Sequence, residues 1–155
     1  MKKSFAWAER KERAVLYYVM QHLLKPNKYE FSPIGSKEPW DFKIHYKEDS
    51  YVGDIKCLNT DSEYYNCLFL EDKKVKNLLY SAYKCGYNQT LLYVSWFKDH
   101  KVNVLKIDKD LLSKYNPKWR TVGEINKLIY FIPKSEGRTF NLGKLMMDYA
   151  SRFIT

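Results

Sequence analysis

The chain has 155 residues, 45% of them hydrophobic, and its 27 Lys and Arg outnumber 18 Asp and Glu to leave a net charge of +9. That length suits one domain, and the apolar content excludes wholesale disorder. The basic excess points to a polyanionic partner (nucleic acid, an anionic membrane or an acidic protein), unless it only reflects an AT-rich genome that encodes Lys, Tyr and Asn freely.

In chain order, the first predicted element is a helix over residues 4–24. Ser4 is its candidate cap, and Phe5, Ala8, Val15, Leu16, Val19 and Leu23 form an apolar stripe at helical spacing. "KPN" at 25–27 ends it, and residues 29–32 form a short extended piece. Strands follow at 41–46 and 51–57, joined by the polar turn "KEDS". "NTDSEYYNCLF" reads as a loop whose Tyr64 and Tyr65 either stack on bases or cover the sheet. A second helix runs from Asp72 to Lys84 with Gly86 behind it as C-cap. "TLLYVSWF", 90–97, has the continuous apolar character of a strand buried on both faces, and a further strand spans 101–107. Beyond it come helices near 108–115 and 121–127, a strand at 128–132, an exposed loop "PKSEGRTFN" and a helix over 142–153.

Several chemistries find no support. No apolar run approaches the roughly 20 residues of a membrane span, and "MKKSFAWAERKER" holds no apolar signal core, so a cytoplasmic protein with no membrane partner is expected. Cys57, Cys67 and Cys85 are odd in number and lack CxxC spacing, which argues for reduced, partly buried thiols. His22, His45 and His100 are too dispersed to suggest a metal cluster, and no Gly-rich phosphate loop is present.

The charged residues in the two central strands carry the chemical interest. Alternation puts Asp54 and Lys56 on one face and Ile55 and Cys57 on the other; in the preceding strand Asp41, Lys43 and His45 share a face. With Glu48 and Asp49 at the hairpin tip, Asp41 falls opposite Lys56 and Lys43 opposite Asp54. Two carboxylates and a lysine on one face suit a divalent metal; cross-strand ion pairs on a surface hairpin are the alternative. On the first helix Val15, Leu16, Val19 and Leu23 all lie within about 60° of Glu12, at 100° per residue. Glu12 thus sits on the buried stripe and needs a partner, unless the stripe frays there and leaves it solvated.

Glu12 on the opening helix, Asp41 at the start of a strand and Asp54-Ile55-Lys56 in the next resemble the PD-(D/E)xK nuclease motif. The nearest likeness is to small Holliday junction resolvases and phage-type nucleases. The resemblance covers about residues 9–107, with Trp40 where the family often has Pro and Asp54 in place of the commoner Glu. It implies an αβββαβ restriction-endonuclease-like core: a mixed sheet flanked by helices, with residues 108–155 as an α/β C-terminal extension of a single domain. It further implies an endonuclease acting on branched or double-stranded DNA, in the host cytoplasm if phage-encoded. Asp41, Asp54, the Ile55 carbonyl and Glu12 would hold Mg²⁺, with Mn²⁺ as a substitute, and Lys56 would assist the attacking water. Lys73 and Lys76, three apart on the second helix beside Lys74 and Lys84, are candidate phosphate contacts or a solvated face; Lys43 and Arg138 are further candidates. RNA stays open as a partner, and cutting both strands would favour a homodimer. The rival readings are a non-catalytic nucleic-acid-binding module on the same fold and an interaction protein whose basic face docks on an acidic partner.

Overall fold

A computed structural model describes residues 2–142, with side chains from residue 9 onward. The helix expected at 142–153 lies outside the described residues. Helix α1 (Lys2–Val19) runs into a π-helical turn over Met20–Leu24. Its start at Lys2 puts Ser4 inside the helix rather than at its cap. Lys25 adopts φ 45° and its N–H closes the turn on the Met20 carbonyl, and Pro26 prevents any continuation.

Six strands make the main sheet, in the order β1 (Lys28–Phe31), β2 (Phe42–His45), β3 (Ser50–Cys57), β5 (Leu91–Trp96), β6 (Lys101–Ile107) and β9 (Arg138–Asn141). Only β3 and β5 run parallel among these neighbours. Every residue of β5 is buried, as its unbroken apolar run requires of a strand covered on both faces. One apolar core lies beneath α1, where Val15, Leu16 and Val19 meet Phe42, Ile44, Ile55 and Val94. The other lies under helix α2 (Asp72–Cys85), where Val75 and Leu78 meet Val52, Leu91 and Leu105. Gly86 closes α2 at φ 73°, its N–H directed to the last carbonyls.

The connection from β3 to β5 holds the largest departure from the sequence reading. The end of the expected loop is strand β4 (Cys67–Glu71), which pairs with β8 (Ile125–Pro133), and β8 pairs with β7 (Lys118–Val122). These form a second, three-stranded sheet in the order β4-β8-β7. The helix expected near 121–127 is therefore replaced by the β7–β8 hairpin. Gly123 turns it at φ 65°, and β-branched Thr121, Val122 and Ile125 flank the turn. A short helix α3 (Lys109–Lys114) stands near its expected place, with the Asp108 carboxylate capping the Leu111 N–H at 2.8 Å. The loop "PKSEGRTFN" is corrected in part: after a 3₁₀ turn over Lys134–Glu136, β9 adds to the edge of the main sheet. All three cysteines are free, and Cys85 is exposed rather than partly buried.

Candidate functional site

The β2–β3 register decides which charges meet. Phe42 pairs with Gly53, Ile44 with Tyr51 and His45 with Ser50. The Tyr46 N–H bonds the Asp49 carbonyl at 2.7 Å, so Lys47 and Glu48 form the tip instead of Glu48 and Asp49. The Phe42 ring lies over Gly53 so closely that a Cβ there would sit 2.0 Å from ring carbon Cζ; only glycine permits this pairing. The slip preserves the faces and changes every partner. Asp41, whose N–H bonds the Gly53 carbonyl at 3.0 Å, stands beside Asp54 and not opposite Lys56, and Lys43 pairs with Val52 instead of Asp54.

The two aspartates are in contact. Asp54 is only 4% exposed, with the Asp41 carboxyl beside it. Burial first, and the Asp41 carboxyl second, hold the Asp54 carboxyl well above the usual carboxylate range; Lys74 pulls the other way. Asp41 Oδ2 accepts the Ile55 N–H at 2.9 Å, and its Oδ1 lies 4.0 Å from the Arg13 guanidinium. Arg13 itself is held by Ser32, donating to its carbonyl at 2.8 Å and its hydroxyl at 2.9 Å. The same field reaches the neighbours: burial and the Asp54 charge push the Tyr93 phenol up.

Glu12 reaches this site from α1, one turn before the buried Val15 and Leu16. Partial burial, with the Asp41 charge adding to it, pushes its carboxyl up to about 7. Glu9 turns to another task, accepting the Gly35 N–H at 2.9 Å. The resulting cleft, about 380 Å³, is lined by Glu12, Arg13, Asp41, Asp54, Lys56 and Lys74 among others. Lys56 is exposed at its mouth.

The remaining sequence-predicted residues are dispersed. Lys43 lies 3.9 Å from Glu30 and over the Trp40 ring, away from the cleft. Lys73 is exposed, Lys76 is engaged by Asp72 at 2.9 Å, and Arg138 covers Phe140 on the β9 edge. The α2 lysine that meets the aspartates is Lys74, whose Nζ stands 3.4 Å from Asp54 Oδ1. Sequence reasoning passes it over although a signal is there: Lys74 is four residues before buried Leu78 and so shares its stripe.

A hard divalent cation fits this donor set. Among the described residues no three His, Cys, Asp or Glu side chains converge into a ready-made cage. Magnesium needs none, because one or two carboxylates suffice when water and phosphate complete its octahedron. Two abutting carboxyls repel unless a proton or a cation lies between them. Buried Asp54 Oδ1 accepts no hydrogen bond, its contact with Lys74 being an ion pair without bonding geometry.

No protein-family model matches the chain, and no curated protein sequence does. Among solved structures it is similar to Hjc, a Holliday junction resolvase of the archaeal hyperthermophile Archaeoglobus fulgidus, with a TM-score of 0.50 and 14% sequence identity. The match covers 79% of this chain and 93% of that one. At this identity the likeness concerns the backbone. Together with the mixed sheet and its flanking helices, it assigns the chain to the restriction-endonuclease-like fold.

Proposed function

We propose that this chain is a metal-dependent nuclease that hydrolyses DNA phosphodiester bonds, with branched or double-stranded DNA as substrate. The observation that carries the reading is the pair of touching carboxyls, Asp41 and buried Asp54, on the floor of a cleft with lysine at its mouth. The backbone likeness to a Holliday junction resolvase supports it.

In this reading Asp41 and Asp54 hold Mg²⁺ or Mn²⁺, with the Ile55 carbonyl and Glu12 completing the protein's share. Such a cation, when bound, acidifies water and neutralises charge on the phosphate. Lys56 donates hydrogen bonds to the attacking water and to a phosphate oxygen. Where Glu12 does not complete the metal shell, it would orient the attacking water from α1. Arg13 keeps Asp41 in place through its own anchorage on Ser32. Cutting both strands calls for two copies of the chain. The test is single-turnover cleavage of branched and linear duplex DNA in Mg²⁺, with affinity measured separately in Ca²⁺. Asp54→Ala abolishes cleavage while DNA affinity holds or rises; equal rates for variant and wild type would sink the proposal.

One observation favours a second reading, a nucleic-acid-binding module. Lys74 already sets a positive charge beside Asp54, which balances the buried carboxylate with no metal. Tight binding without cleavage under any divalent cation would select it.

A further inference from the structure

The outward face of the three-stranded sheet is unusually aromatic. Phe69 and Phe131 are cross-strand partners with ring centroids 5.3 Å apart, edge to face, and Tyr65 packs edge-on against Phe69 at 5.0 Å. Phe69 is 44% exposed and Tyr65 48%. The opposite face, with Leu68, Leu70 and Ile132, already fills the core under α2, so the aromatic side has no partner within that core. A contiguous exposed patch of this kind marks a binding surface.

Its charge says what binds. The Arg120 guanidinium lies 5.1 Å above the Phe131 ring, and alternation along β7 puts Lys118 on the same side. Lys127 pairs there with Glu71 at 3.4 Å. Cations thus interleave with rings, and Glu71 already has a counterion. A second copy docking face to face would set Arg120 and Lys118 against their own like charges. A polyanion that also carries flat apolar rings meets both requirements. The face is also continuous with the candidate centre: one cavity of about 330 Å³ is lined by Tyr65, Phe69 and Lys127 as well as by Asp54, Lys56 and Lys74.

We propose that this face is a stacking platform for unpaired nucleotides, so that the substrate carries a single-stranded segment beside the bond to be cut. Bases stack on Tyr65, Phe69 and Phe131, while Lys118 and Arg120 take the phosphates. The position of the cut bond rests on the nuclease reading; the platform itself does not.

Fluorescence anisotropy in Ca²⁺, with a short labelled oligodeoxythymidine and a blunt duplex of equal length, tests it on the full chain. Phe69→Ala with Phe131→Ala weakens oligodeoxythymidine binding about tenfold or more and leaves duplex affinity within about twofold. Phe69→Trp retains the single-strand affinity. If the double variant does not fold, the exposed changes Tyr65→Ala and Arg120→Gln serve in its place. Unchanged single-strand affinity in folded variants overturns the proposal. So does a wild-type dimer in sedimentation that the same changes dissociate. If wild type cuts nothing yet the platform variants still lose oligodeoxythymidine, the nuclease reading fails and the platform stands.

Discussion

In the six-stranded sheet charge is buried, with Asp54 4% exposed and in contact with Asp41, whereas in the three-stranded sheet aromatic surface is left out in solvent, with Phe69 44% exposed. The first arrangement works against folding, since an ionised carboxylate loses its hydration unless a proton, a lysine or a metal compensates. The second costs less, because it leaves apolar surface in water but strips no charge of its hydration. A site that must hold reactive charge therefore draws on the stability of the sheet around it. A site that must only offer a flat surface can be added at the margin. β5, buried along its whole length, supplies the rigidity that the aspartates need.

The comparison can be broken most decisively through rate. Lys56→Ala, on the large sheet, lowers single-turnover cleavage about 10²–10³-fold while affinity in Ca²⁺ holds. Arg120→Ala, on the small sheet, leaves the rate at saturating DNA unchanged and raises Kd. If Arg120→Ala lowers the saturated rate as much as Lys56→Ala does, the division of labour between the sheets is wrong.

Stability gives the next largest contrast. Phe42→Ala removes a fully buried ring that covers Gly53 and costs about 3–5 kcal/mol in urea denaturation. Phe69→Ala costs about 1 kcal/mol or less, as expected of a half-exposed ring. Similar losses at the two positions would mean that the small sheet is core and not platform.

Glu12 sharpens the electrostatic side. Between about pH 4.5 and 7 the folded chain keeps a proton on Glu12 that the unfolded chain has released, so stability falls as pH rises through that window and stays lower above it. Glu12→Gln removes the penalty. The shift corresponds to about 3 kcal/mol, which solvent screening of a partly exposed carboxyl reduces to about 1–2 kcal/mol. Thermal melts in EDTA should show the variant more stable than wild type at pH 8 and equal to it near pH 4. A variant less stable at pH 8 would contradict a buried, proton-holding Glu12.

The smallest effect belongs to α2. Lys73→Ala with Lys76→Ala flattens the dependence of log affinity on log salt by about 0.9 for each phosphate that is no longer neutralised, and lowers the melting temperature slightly through the lost Lys76–Asp72 pair. An unchanged slope removes these lysines from the DNA interface.

How far these features can be read from sequence depends on how local their causes are. β5 and β6 stand within a residue of expectation because an unbroken apolar run, and a second apolar-rich stretch set off from it by the turn "DHK", are local patterns. The faces of β2 and β3 follow from alternation alone. Their register does not, since "YKEDS" offers several equally good tips and the deciding contact is the Phe42 ring on Gly53 across the hairpin. Asp41 and Asp54 therefore stand out as a pair in the sequence, but their direct contact does not. Of the small sheet the sequence shows only the strand at 128–132, which lies within β8; the rest escapes it for the reverse reason, since β4 is short, half exposed and completed by a strand far along the chain. Residues 121–127 carry a helix-compatible mixture of charge and apolar side chains, which the Gly123 turn and the pairing with β4 override.

That distant completion has a consequence for how the protein is made. Glu71 and Lys127, which meet across β4 and β8, are 56 positions apart, and α2, β5 and β6 lie between them. Closing so long a loop before the intervening elements are placed is entropically unfavourable. During synthesis β4 leaves the ribosome well ahead of β8, with its apolar side and its strand edges unsatisfied. The small sheet should thus be the last part to consolidate, and Leu68 and Leu70 the segment most in need of a chaperone until it does.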